Sequence, residues 1–178
     1  TKCPGSRWVS RLPEWKLGPY YYSHITVYLR FCALYQWGGV YSDFDAVTLG
    51  RLDQFPNGFI GRDNARTEGH CEWCAWKRDI YLPPGVMATA RPKHPLVGLA
   101  LEIGFDGEYN PNEFNAVGPK AVTMAYNQLS KTRGFHVLEI LEQNILYPFD
   151  YLESHRVFSG MKVGEAKGYY ERLKHSSL

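Results

Sequence analysis

The stretch Tyr28–Val47, YLRFCALYQWGGVYSDFDAV, constrains this chain more than any other. Apolar residues at Ile25, Tyr28, Leu29, Cys32 and Tyr35 recur at helical spacing, and Val27, Phe31 and Leu34 widen the stripe. That width predicts a buried helix over 24–37, N-capped by Ser23. Gly38-Gly39 ends it, because glycine takes the left-handed C-terminal conformation at little cost. A strand follows over Val40–Ser42, and then Asp43-Phe44-Asp45. Arg30 is the only formally charged side chain between Ser23 and Ser42. One cation and two anions thus sit in a segment with almost no polar face.

Side chains alternate along a strand, so Asp43 and Asp45 share a face if the strand persists through them. Two carboxylates about 7 Å apart at a strand end suit a divalent cation and the ligand it carries. Hard oxygen ligands favour Mg²⁺ or Mn²⁺ over zinc. Arg30 lies seven residues before the helix end at Trp37, about 10 Å back along the axis. A strand folding back over the helix carries Asp43 a similar distance, so guanidinium and carboxylates are expected to meet. A buried arginine needs such an anion. The plainer alternative is an arginine reaching solvent along the surface, with the aspartates capping a turn.

The rest of the chain reads as α/β, with strands and helices alternating. Strands are predicted in NGFIGRD and GVMATA, and a helix in KHPLVGLALEIGF. A second helix starts at Pro119 in VGPKAVTMAYNQL, with apolar positions 121, 122, 125 and 129. HVLEIL reads as a late strand and NILYPF as an extended segment; residues 1–22 read as irregular packed coil. The length of 178 residues predicts a single domain with room for a core. A net charge of +2 gives no nucleic-acid footprint. No window approaches the roughly 18 uninterrupted apolar residues of a membrane span. The opening TKCPGSRW has no signal peptide and no initiator Met, and it reads like the interior of a longer protein.

Cys71 and Cys74 form a CxxC after His70, but a zinc site needs two more ligands and there is no second CxxC. A local disulfide or two free thiols are expected there, with no catalytic metal. Cys32, on the apolar helix, reads as core. Cysteine usage leaves the compartment open.

The order of these residues resembles a known family. A helix carrying an arginine, then LYQWGGVYSDFD, an apolar residue and a leucine, is similar to the DXD-containing retaining sugar transferases. That family includes initiating mannosyltransferases and α-linked galactosyl- and N-acetylglucosaminyltransferases. Further echoes are GVMATARPKHPLV, NEFNAVGPKAVT, ILYPFDYLES and the final RLKHSSL, so the resemblance spans about residues 20–178. It implies a GT-A fold, a Rossmann-like sheet with metal and nucleotide at strand C-terminal ends. It further implies transfer of a hexose from a UDP- or GDP-sugar to a glycan or other acceptor, with Mn²⁺ or Mg²⁺.

By position in the motif, Asp45 is then a direct metal ligand and Asp43 a ligand to metal or ribose. Arg30 and Tyr41 lie by the donor sugar, and His175 is a third metal ligand. Glu113 and Asn115 fall where donor or acceptor contacts come, though both serve equally as helix-entry residues. No catalytic nucleophile is implied. The location expected is the Golgi lumen for a eukaryotic chain and the cytoplasm for a bacterial or viral one. Any membrane attachment would come from segments outside this chain.

The chain departs from the family pattern at three places. Val27 stands where an acidic residue is usual, and Pro83-Pro84-Gly85 replaces an Asn-rich approach to the next strand. Only 42 residues precede Asp43, where a GT-A domain normally places its first nucleotide-binding strand and helix. The expectation is a fragment or a shortened N-terminal half. Two rival readings stand beside the transferase. DFDAV also fits the Asp-x-Asp motif of haloacid-dehalogenase-type phosphohydrolases, with Asp43 as nucleophile and Asp45 as acid/base. Val27 and the short N-terminal part fit a non-catalytic sugar-nucleotide-binding relative.

Overall fold

The computed structural model describes residues 3–63, 81–107, 109–133, 138–149, 159–174 and 176. Cys71, Cys74, His175 and the start of the HVLEIL segment lie outside them. The architecture is mixed α/β, a four-stranded open sheet flanked by helices. The strands are β1 (Gly39–Ser42), β2 (Gly58–Gly61), β3 (Val86–Thr89) and β4 (Glu139–Leu141), in the order β1-β3-β2-β4. β3 runs antiparallel to both β1 and β2, and β2 pairs with β4 in parallel. The α/β expectation therefore holds at the level of mixed helices and strands, while two of the three described pairings are antiparallel.

The N-terminal segment is not coil. It forms a 3₁₀ helix over Ser6–Arg11 and a helical turn α1 over Leu12–Trp15. The main helix α2 spans Tyr21–Trp37, so Ser23 lies inside it and is not its cap. Tyr20 is the N-cap residue and offers no side-chain bond. Packing of the first turn by His24 outweighs the local preference of a serine. Nor is α2 buried on most faces. His24, Val27, Tyr28, Phe31 and Leu34 are buried, whereas Leu29 and Trp37 stand in solvent. Its end is as expected: Gly38 at φ 69° and Gly39 at φ 92° turn the chain into β1.

Further helices are α3 (Pro95–Leu101), which runs on as a π-helical turn over Glu102–Asp106, then α4 (Pro119–Leu129), α5 (Gln143–Leu146) and α6 (Val163–Leu173). α5 corrects the expected extended segment. Pro148 sits just past it, and Tyr147 N–H closes the turn on Gln143 O at 2.6 Å.

β2 and β3 are buried throughout, which explains their unbroken apolar sequences. Ile60 and Met87 join Phe31, Leu34, Leu96 and Phe105 in the main core under α2 and α3. Phe59, Val86 and Ala88 point the other way, onto Leu141 and Leu146. The two clusters follow the two-residue period of a strand.

Cys32 is not simply core. It forms a disulfide with Cys3, across 29 residues, and ties the N-terminal segment to α2. Closing a loop of that length contributes about 3.5 kcal/mol in the chain-entropy picture. Cys3→Ser is expected to lower the unfolding free energy by a comparable amount, read from urea denaturation.

His24 is buried in α2. Its Nδ1 accepts from the Tyr109 hydroxyl at 2.5 Å, and Nε2–H points at Glu113 O (3.1 Å) and Phe114 O (3.2 Å). His94 caps α3, its Nδ1 accepting from Leu96 N–H at 3.3 Å. Burial lowers the pKa of both below the usual 6.5, and Arg91 adds to the effect at His94. The native state holds neutral rings, while the unfolded chain takes up protons near 6.5. Their contribution to stability is therefore complete above that pH and is lost as pH falls through the lower native values. A pH series of melting temperatures between 8 and 5 should fall on the acid side, and His24→Gln with His94→Asn should flatten it.

Candidate functional site

The site starts from Arg30, two turns before the end of α2. Its side chain is 10% exposed. One guanidinium nitrogen donates to Pro84 O at 2.7 Å and another to Asp43 Oδ1 at 2.5 Å. The plane lies over the Tyr41 ring, 4.3 Å from its centre. Tyr41 in turn donates its hydroxyl to Asp43 Oδ1 at 2.7 Å. Burial, and then the bond to Asp43, raise the Tyr41 pKa, so the phenol keeps the proton it donates. The expected meeting of Arg30 with a carboxylate is present, and Asp43 is the partner.

The strand does not persist to Asp45. β1 ends at Ser42, and after one more bond, Asp43 N–H to Gly85 O at 2.8 Å, the chain turns. Ala46 N–H closes that turn on Asp43 O at 3.1 Å. The reason lies across the sheet. Upstream of β3 the partner residues are Pro83 and Pro84, which have no N–H with which to continue a ladder. The condition on which Asp43 and Asp45 would share a strand face is therefore not met, although the turn still brings both to one cleft.

That cleft has a volume of about 740 Å³. Arg30, Asp43 and Asp45 line one part of it, and Val27, Phe114 and Leu173 are among its apolar walls. Among the described residues these two aspartates are its only carboxylates. Asp45 is exposed, and Phe44 beside it stands wholly in solvent. Asp43 Oδ2 faces Gly85, where an added Cβ would lie 3.1 Å away. Glycine leaves that oxygen open. Arg30 Nε is buried without a hydrogen-bond partner among the described residues.

The other predicted residues divide. Asn115 lines the cleft. Glu113 does not; both its oxygens bind Lys120 Nζ, at 3.0 and 3.2 Å, which leaves it the helix-entry role. Tyr41 reaches the site only through Asp43 and Arg30. His175 is outside the described residues, among which no group of three metal-ligating side chains occurs.

Two contributors had no role in the sequence reading. His24 pins the loop carrying Phe114 and Asn115 to α2. Its signal was a lone histidine on an apolar helix face. Tyr147 lines the cleft, and its only signal was its place in the ILYPF segment.

Arg30 should also carry weight in stability. Lysine is a point donor and cannot hold Pro84 O and Asp43 together while stacking on Tyr41. Arg30→Lys is expected to cost about 1–2 kcal/mol in urea denaturation with the fold kept. A change within error would show that the fork carries no stability. No protein-family model matches the chain, and no curated protein matches it in sequence.

Proposed function

We propose that the protein is a metal-dependent retaining glycosyltransferase of GT-A type, moving a hexose from a UDP- or GDP-sugar to a glycan acceptor. The carrying observation is the convergence of Arg30 with both aspartates of a D-x-D motif on one cleft, directly after a strand end. Ligands of α/β sheets gather at such strand ends.

The residues fit Mn²⁺ or Mg²⁺. Such ions take one or two protein carboxylates and complete their shell with water and phosphate oxygens. Asp45 and the open Oδ2 of Asp43 would hold the ion, with His175 as a further proposed ligand. When bound, it would neutralise charge on the leaving diphosphate. Arg30 and Tyr41 orient Asp43 by occupying its other oxygen. The same contacts weigh against the phosphohydrolase reading, because a carboxylate shared between a guanidinium and a phenol is a poor nucleophile. Val27, an apolar wall one helical turn from Arg30, favours the non-catalytic relative as the competing reading. The Cys3–Cys32 disulfide favours an oxidising compartment, which for a eukaryotic chain agrees with the Golgi lumen.

A panel of nucleotide sugars with Mn²⁺ is expected to reveal slow nucleotide release from one donor. Asp45→Ala should abolish it, and Arg30→Lys should lower turnover by at least about tenfold. Metal-dependent binding without release would leave the non-catalytic reading, and hydrolysis of a phosphomonoester the phosphohydrolase.

A further inference from the structure

The four residues Pro83–Val86 carry the contacts that shape the site. Their two middle carbonyls are both engaged: Pro84 O accepts from Arg30, and Gly85 O accepts from Asp43 N–H. Their two outer residues meet at a single side chain. The Tyr147 hydroxyl donates to Pro83 O at 3.0 Å and accepts from Val86 N–H at 3.3 Å. It thus takes over from β2 at the end of β3, where the described β2 register stops at Ile60 opposite Met87. The ring has a prepared seat. A Cβ on Gly61 would lie 2.6 Å from Tyr147 Cε2 and 2.9 Å from Leu146 Cδ1. The hydroxyl is also 3.6 Å from where a Gly85 Cβ would stand, on the side of Asp43. Burial raises the Tyr147 pKa, so the hydroxyl stays protonated and keeps its donor role.

We propose that Tyr147 is a positioning residue for the Arg30–Asp43 pair. Its hydroxyl clamps both ends of the Pro83–Val86 turn, and the turn's middle carbonyls set the guanidinium and the Asp43 backbone. The direct closure of such a turn, Val86 N–H to Pro83 O, is not made; the Tyr147 hydroxyl stands between the two groups and bonds to both. The structural half of the proposal needs no assumption about activity. The functional half, that Tyr147 tunes metal-dependent turnover through Asp43, rests on the transferase reading.

The test is a stability cycle of Tyr147→Phe and Asp43→Asn, with Gly61→Ala as a second way to displace the ring while keeping the hydroxyl. Asp43→Asn is expected to lower the melting temperature of the native protein. In the Tyr147→Phe or Gly61→Ala background it should cost roughly half as much or less. Equal losses in all backgrounds would overturn the proposal. In nucleotide release, Tyr147→Phe should raise the half-saturating Mn²⁺ concentration about tenfold, with kcat at saturating metal nearly kept. A purely structural role would lower stability without moving that titration, and an unmoved titration would overturn the functional half. If no donor is turned over by the native protein, the transferase reading fails, and the stability cycle still decides the clamp.

Discussion

Burial of one guanidinium organises this molecule. Arg30 is nearly enclosed, and a charge in that position must be matched by acceptors or the structure rearranges around it. Its acceptors come from two separate places, the turn before β3 and the residue after β1. α2, the glycine turn, β1 and the Pro83–Val86 turn are therefore held in one arrangement by a planar fork. Stacking on Tyr41 occupies the face that hydrogen bonds cannot use. The cleft lies beside these contacts, and Arg30 and Asp43 supply part of its polar lining.

The proline pair explains why the site is a cleft and not more sheet. β1 and β3 pair from Gly39 with Thr89 to Ser42 with Val86. Beyond the Asp43–Gly85 step, Pro84 and Pro83 offer carbonyls without donors. The chain leaves the ladder after Asp43, and it turns so that Asp45 emerges into solvent while Asp43 stays under Arg30. The carbonyls the sheet no longer uses are taken by Arg30 and by Tyr147. On the opposite side His24 holds the 109–118 loop by its carbonyls, so helix and loop approach the cleft as one wall.

Much of this was legible from local chemistry. The helical spacing before Gly38-Gly39, the short strand after it and the buried-arginine argument led to a contact between Arg30 and one of the two aspartates. Pro119 marked the start of α4, and apolar runs marked β2 and β3. The errors also have physical causes. Ser23 is a good cap by itself, but His24 finds partners in Tyr109 and the Glu113 and Phe114 carbonyls, more than 80 residues away, and the helix begins earlier. The strand ends at Ser42 as its predicted bounds had it, and the shared face of Asp43 and Asp45, which required alternation to continue, is prevented by residues about 40 positions downstream. Glu113 binds Lys120 one helical entry away, and no spacing rule distinguishes that from a ligand contact. The disulfide was missed because Cys3 and Cys32 share no motif and meet only when the N-terminal segment folds over α2.

Taken alone, the sequence determined what depends on neighbours within a few residues: the helix and its glycine stop, the strand after it, the proline helix start, and the need of Arg30 for an anion. Those properties follow from backbone conformational preference and from the cost of an unpaired buried charge, which act locally. Only the tertiary structure decided which carboxylate answers Arg30, how the chain turns between Asp43 and Asp45, which candidate residues reach the cleft and which side chain closes the turn beneath it. Each of these is a competition for hydrogen-bond partners between segments far apart in the chain. The outcome depends on distances that exist only once the two faces of the sheet are packed.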